Sequence, residues 1–250
     1  MAREATYDSL TIKNGRKNLD VLCIKDGELP KTVAALMSES TSLPDSGAFI
    51  NGGYFVHRDG LLSTDSKNCS VGFTVGETKG KVNVVPVPEP WKDVYGAVKD
   101  KDGRVLLHSA PVLEKNANFE SDRFKYKVVD KSQKPNGEWV LNPLNLLAGA
   151  LGHSGESNER AAISMGPKDV MFHTLTTKDG KRETGMKMKS WNDTVTSRGP
   201  KMEHLNLDGA SSINMGIISK DGAKIEDISK GGGVGNNDRP IANILITSPN

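Results

Sequence analysis

The residues best able to do chemistry sit at the ends of short apolar runs. Leu205 to Ser212 reads Leu-Asn-Leu-Asp-Gly-Ala-Ser-Ser, an alternating strand that runs straight into an acid, a glycine and two hydroxyls. Asp208 is therefore expected at a strand end, where the backbone turns and a carboxylate can be held rigidly at a pocket mouth. Ala48 to Phe55 has a similar form: an apolar strand, an Asn-Gly-Gly turn, then two aromatics. Asn51 offers an acceptor and two donors. Gly52 and Gly53 expose backbone N–H groups that can cradle an anion or approach a sugar closely. His57 and His153 lie near these stretches and are candidate general acids or bases. Each signal also has a plainer reading, since Asp-Gly and Asn-Gly are common turn and hairpin dipeptides. His108, His173 and His204 fall in apparent strands and are expected to be structural. No histidines or cysteines have transition-metal spacing, so no metal site is expected and no cofactor is required. A calcium or magnesium ion held by scattered oxygens would leave no readable pattern.

The elements that must position these residues are mostly strands. Ser9 to Lys13 and Leu19 to Lys25 alternate, with Asn14-Gly15 between them as a hairpin signal. Lys31 to Ser40 is the first expected helix, with Thr32, Val33, Leu36 and Met37 near one face. Short strands are expected at Val71–Val75, Val82–Val87, Val94–Val98 and Val105–Leu107, and a further one ends at Ala110–Leu113. Residues 114–137 read as a long polar excursion with a short strand at Lys125–Val129. Arg160–Met165 and Val170–Thr176 form a hairpin across Gly166-Pro167, Met188–Arg198 is the second helix, and Gly199-Pro200 stops it. Glu203–Leu207, a hairpin of Ile213–Ser219 with Ala223–Ile228, and Ile241–Thr247 complete the chain. The expected fold is α+β: one domain around a large mixed, mostly antiparallel β-sheet core with few helices. Residues 1–45 supply N-terminal strands and a helix, and residues 46–250 the motif-bearing core.

Composition bounds the function classes. The chain has 250 residues, 33 basic and 31 acidic, for a net charge of +2, so bulk electrostatics point to no nucleic-acid duplex as partner. The most apolar run, Leu144–Leu151, is far shorter than the roughly 20 residues a membrane span needs. The N-terminus shows no secretory signal, so a cytoplasmic or phage-encoded role is expected, or secretion if a signal had been cut away. Cys23 and Cys69 are too few for a disulfide framework and are read as buried thiols.

Four segments, taken in order, resemble the phosphodiester glycosidase family. They are Asn51-Gly52-Gly53-Tyr54-Phe55, Arg160-Ala161-Ala162-Ile163, Leu205 to Ser212, and Arg239-Pro240-Ile241-Ala242-Asn243. Ala110-Pro111-Val112-Leu113 and Gly185-Met186 are similar to landmarks between them. The resemblance spans roughly residues 45 to 247. Two departures stand out: Ala210 replaces the usual glycine in a shortened turn, and Ala161 replaces a threonine.

The resemblance implies a small-molecule or polymeric sugar-phosphodiester substrate, cleaved between the anomeric carbon and the phosphate oxygen. Arg160 and Arg239 are then expected to stabilise the departing phosphate through bidentate guanidinium contacts. Asp208 is expected to face the oxocarbenium-like sugar as nucleophile, base or electrostatic stabiliser. Asp208, Arg160 and Asn51 form the expected catalytic set. Gly52, Gly53, His57, His153, Asn206, Gly209, Ser211, Ser212 and Arg239 are expected to bind substrate. Glu156, Glu159 and Asp238 lie near the motifs, and none stands out as a second carboxylate. Two rival functions share the same residues: a phosphodiesterase acting on a nucleotide or cell-wall polymer, and a non-catalytic phosphoglycan- or nucleotide-binding module.

Overall fold

A computed structural model describes residues 5–25, 28, 30–41, 43–55, 93–119, 154–219, 225–233 and 239–249. It also describes 74–75, 79, 84–85, 131–133, 135 and 139–141. In chain order the first strands are β1 (Ala5–Ile12), β2 (Asp20–Cys23), β3 (Gly47–Asn51), β4 (Thr74–Val75) and β5 (Val84–Val85). Then come β6 (Gly96–Lys99), β7 (Val105–Ser109), β8 (Val112–Leu113), β9 (Lys131–Gln133) and β10 (Trp139–Leu141). The last six are β11 (Arg160–Met165), β12 (Val170–Thr177), β13 (Glu203–Leu207), β14 (Asn214–Ile218), β15 (Ile225–Lys230) and β16 (Asn243–Thr247). Helices α1 (Val33–Ser38) and α2 (Met188–Arg198) are the two α-helices among the described residues. The α+β expectation, with a mostly antiparallel sheet core, holds.

The strands divide into two five-stranded antiparallel sheets. One has the order β1-β12-β11-β13-β8, the other β15-β14-β3-β16-β2. Strands β6 and β7 pair antiparallel, as do β9 and β10, whereas β4 and β5 pair parallel. The period-two pattern explains how the sheets stack. Ala161, Ile163 and Met165 of β11 join Ile50 of β3 and Leu245 of β16 in one core between the sheets. Ala162 faces the other way, into a cluster with Trp191 and Val195 of α2. Phe49, Ile244 and Ile246 point out of the second sheet onto Val33, Leu36 and Met37 of α1. The layers are therefore helix, sheet, sheet, helix. Strands buried on both faces read as near-continuous apolar runs, and each fully buried large apolar side chain contributes roughly 1.5–3 kcal/mol.

The β11–β12 hairpin is as expected, closed by Gly166 N–H donating to Asp169 O at 2.9 Å. The Asn14-Gly15 hairpin is not formed. Asn14 is left-handed at φ 56° and opens a 3-10 turn over Gly15–Asn18, which carries the chain from β1 in one sheet to β2 in the other. Two alternating runs joined by Asn-Gly carry the same local pattern whether they pair with each other or with distant strands. The expected strand at Lys125–Val129 lies outside the described residues, as do His57, His153, Asp238 and Cys69. No helix among the described residues is long and apolar enough to cross a membrane.

Four polar strand residues, among them the histidines His173 and His204 expected to be structural, form a rung across the first sheet. Tyr7 hydroxyl lies 2.8 Å from His173 Nδ1, and Ser164 Oγ lies 2.7 Å from both His173 Nε2 and His204 Nδ1. His204 also hydrogen-bonds the Gly199 backbone at the C-terminal cap of α2. A single direction satisfies every group: Tyr7 donates to His173, His173 to Ser164, Ser164 to His204, and His204 to the Gly199 carbonyl. Both imidazoles are then neutral, in keeping with the burial that lowers both pKa values, His173 to about 3.

Candidate functional site

The segments carrying the four motifs meet where the two sheets end side by side. Strand β3 ends at Asn51 and β13 ends one residue before Asp208. Asp208 N–H donates to Gly52 O at 3.0 Å, and Asn51 Nδ2 donates to Asp208 O at 2.7 Å. Asn51 Oδ1 accepts from Asn214 N–H at 3.2 Å. Both polar ends of the buried Asn51 side chain are thus used to join the strand ends. Asn51 positions Asp208 through its backbone.

Asp208 itself is partly buried. Burial raises its pKa to about 6; Ser212, Arg239 and the Gly209 backbone N–H act in the opposite sense. Gly209 N–H donates to Asp208 Oδ1 at 3.0 Å, which holds the carboxyl against its own turn. Arg239 Nη1 donates to Ser211 Oγ at 2.6 Å, so the late Arg-Pro segment docks on the same turn. Tyr54 stands within electrostatic reach of both Asp208 and Arg160, and burial and the Asp208 carboxylate raise its pKa. Asn206 Nδ2 donates to Tyr54 Oη at 2.7 Å and to Ala110 O at 3.0 Å. Because the phenol oxygen accepts that bond, its own proton is available to another acceptor.

Arg160 is buried, and two of its N–H groups are already engaged. Nε donates to Met186 O at 3.1 Å and Nη2 to Glu156 O at 2.7 Å. Burial brings its pKa down to about 10, so it stays charged at neutral pH. This bond ties the Gly185-Met186 segment to the start of β11. Glu159, a conceivable second carboxylate, is structural. Its Oε1 accepts from Thr177 N–H at 2.8 Å and its Oε2 from Gly232 N–H at 2.6 Å.

One expectation is corrected outright. The N–H groups of Gly52 and Gly53 do not form an open anion cradle. Gly52 N–H donates to Asn243 O at 3.0 Å, and Gly53 N–H to Asn243 Oδ1 at 2.8 Å. The glycines serve close approach instead: a Cβ on Gly52 would collide with the Asn243 side chain, and one on Gly53 would lie 2.6 Å from His108 O.

Tyr54 and Asn243 are site residues that no spacing argument singled out, although both lie inside motif segments. An aromatic directly after a Gly-Gly turn is the only local signal for Tyr54. Asn243 is brought in by the β16–β3 register, in which Ile244 pairs with Asn51. Several polar atoms here are enclosed without a protein hydrogen-bond partner: Asn206 Oδ1, Asn214 Oδ1, Asn243 Nδ2 and Ser109 Oγ. Buried polar groups usually find a partner, so these atoms have hydrogen-bonding capacity to spare. A cavity of about 10 Å3 lies between Ser211, Ser212, Asn214 and Arg239, against Val33. No three His, Cys, Asp or Glu side chains converge as metal ligands among the described residues.

No protein-family model matches the chain, and no curated protein matches it. Solved structures give distant likenesses. One is the zebrafish N-acetylglucosamine-1-phosphodiester alpha-N-acetylglucosaminidase catalytic domain, auto-inhibited by its pro-peptide, with 12% identity and a TM-score of 0.46 over 99% of this chain and 84% of that one. An exported protein of Burkholderia pseudomallei gives 11% identity and a TM-score of 0.49 over 97% of this chain and 74% of the other. A Synechocystis protein gives 10% identity and a TM-score of 0.45 over 97% and 59%. Similarity at this level is a distant likeness of fold and says nothing of this chain's chemistry.

Proposed function

We propose that this chain is a hydrolase that cleaves the bond between the anomeric carbon and the phosphate oxygen of a sugar-1-phosphodiester, of the N-acetylglucosamine-1-phosphodiester kind. The observation that carries this reading is the Asp208 carboxyl: partly buried, raised to about 6, and held at a strand end within reach of Arg239 and Tyr54. Above that pH the carboxylate is ionised and can stabilise positive charge developing at the anomeric carbon. Arg239 supplies the cation for the phosphate leaving group, which needs charge stabilisation more than protonation. The Tyr54 hydroxyl and the Ser211 and Ser212 hydroxyls offer hydrogen bonds to sugar or phosphate oxygens. Asn51, Asn243 and Arg160 hold the strand ends and loops that place them. The resemblance of the four motif segments to the phosphodiester glycosidases supports the same substrate class.

The test is hydrolysis of a synthetic sugar-1-phosphodiester in oxygen-18 water, with Asp208→Asn alongside. Label in the sugar and an inactive Asp208→Asn support the reading. Label in the phosphate transfers the activity to a phosphodiesterase, and tight binding without turnover makes the protein a binding module.

A further inference from the structure

At the end of the first sheet remote from Asp208 lies a cavity of about 450 Å3. Strand β13 begins there with Glu203, paired to Met165 at the end of β11, whereas Leu207 pairs with Ala161 at the Asp208 end. Five residues of strand separate Glu203 from Asp208, about 16 Å at ~3.3 Å per residue. The charged lining is Arg16, Lys99, Lys101, Lys201, Asp100 and Glu203.

The cations outweigh the acids in more than number. Lys101 pairs with Asp102 at 2.7 Å. Asp100 is committed to its own turn: Oδ1 accepts from the Asp102 and Arg104 N–H groups, and Oδ2 from Arg104 Nε at 3.0 Å. No carboxylate among the described residues lies within ion-pair distance of Arg16, Lys99 or Lys201. Arg16 is fixed in the 3-10 turn by its backbone N–H, which donates to Lys168 O at 2.9 Å. Its Nη1 is enclosed and has no protein partner. Burial disfavours the guanidinium charge, and Glu203 and Asp100 offset this only from a distance. A half-buried guanidinium without a close counter-charge loses some solvation, and an anion in the adjoining space would offset that loss.

This cavity adjoins a cleft of about 690 Å3, the two sharing Lys99, Met165, Met202 and Glu203 as lining. Val112, Leu113, Leu205 and Pro200 form the apolar part of the cleft, Thr196 and Ser197 add hydroxyls, and Glu114, Lys115 and Asp193 also line it. A cationic end beside a cleft with an apolar part suits a small molecule with one anionic head. We propose that the paired cavity binds a phosphomonoester carrying an apolar or aromatic body, with the phosphate among Arg16, Lys99 and Lys201 and the body in the cleft. The site is separate from Asp208 and does no chemistry.

Calorimetric titration of the full chain with phenyl phosphate, inorganic phosphate and phenol tests this. Phenyl phosphate should bind about ten-fold or more tightly than either fragment, and should shift the His204 ring resonances, since His204 also lines the cleft. Arg16→Gln should weaken binding by about ten-fold or more. The Lys99→Gln/Lys201→Gln double variant changes only exposed residues and should do the same, which keeps the test decisive if Arg16→Gln fails to fold. Asp208→Asn should bind unchanged. Equal affinity for phenyl phosphate and phosphate, full binding by the double variant, or loss in Asp208→Asn would each overturn the proposal. Adenosine 5′-monophosphate and decyl phosphate then separate a nucleotide from a lipid phosphate as the source of the chemistry. The readout is binding far from Asp208, so it stands or fails independently of hydrolysis.

Discussion

Asn51 Nδ2 donates to the Asp208 backbone carbonyl at 2.7 Å, across 157 residues of chain and from one sheet to the other. With Asp208 N–H donating to Gly52 O, this locks two strand ends edge to edge and fixes where the carboxyl emerges. The acid's backbone is fixed at both its N–H and its carbonyl, and Gly209 N–H, donating to Oδ1, orients the carboxyl.

Replacing Asp208 by Asn should abolish hydrolysis while stabilising the fold at high pH. The folded pKa is raised from 3.8 to about 6 by burial, so the native state holds its proton more tightly than the unfolded chain. The associated stability is fully present below about pH 3.8 and is lost as pH rises through about 6. Asparagine never ionises and escapes that loss, on the order of 2–3 kcal/mol. Denaturant melts at pH 4 and pH 8 should show the variant gaining on the parent only at pH 8. The parent's kcat/KM should rise through about pH 6 as the carboxylate forms.

Ala210→Gly should stabilise the protein. Ala210 sits at φ 52°, in the left-handed region that an L side chain with a Cβ disfavours by roughly 1–2 kcal/mol. The strain here follows from the Cβ. A net gain of about 1 kcal/mol is expected after the entropy of the unfolded glycine is counted. An unchanged or lower midpoint in urea would remove the strain argument.

Glu159→Gln should cost about 1–3 kcal/mol. One carboxylate oxygen faces Gly232 N–H and the other faces the Thr177 N–H, so an amide must turn a donor toward a donor. The loss should appear in thermal melts. Hydrogen exchange should quicken at Gly232 and Thr177 and leave β14 and β16 protected.

In the Asp208→Asn background, which removes the opposing Asp208 contribution, stability should fall as pH drops from about 6.5 toward about 3. His173 is held neutral, its pKa lowered to about 3 by burial first and then by His204 and Arg198. Its unfolded counterpart takes up a proton near 6.5, so acid favours unfolding across that window. Ser164→Ala breaks the rung between the two imidazoles and should lower stability by about 1–3 kcal/mol at pH 7, measured by urea melts.

Local pattern by itself determined the element types: short apolar runs between turn residues marked β11, β12, β13 and β14, and Gly199-Pro200 ended α2 where expected. It also placed Asp208, Asn51 and Arg160 at strand ends, because a turn directly after an apolar run is a nearest-neighbour property. Which strands pair was decided only in three dimensions. Asn14-Gly15 has hairpin chemistry, yet β1 joins β12 and β2 joins β16, since burying both faces of two stacked sheets outweighs one local turn. The same long-range pairing spent the Gly52 and Gly53 N–H groups on Asn243 and turned Glu159 into a loop anchor. It also brought Tyr54 within electrostatic reach of Asp208, because which groups the fold brings near leaves no trace in sequence spacing.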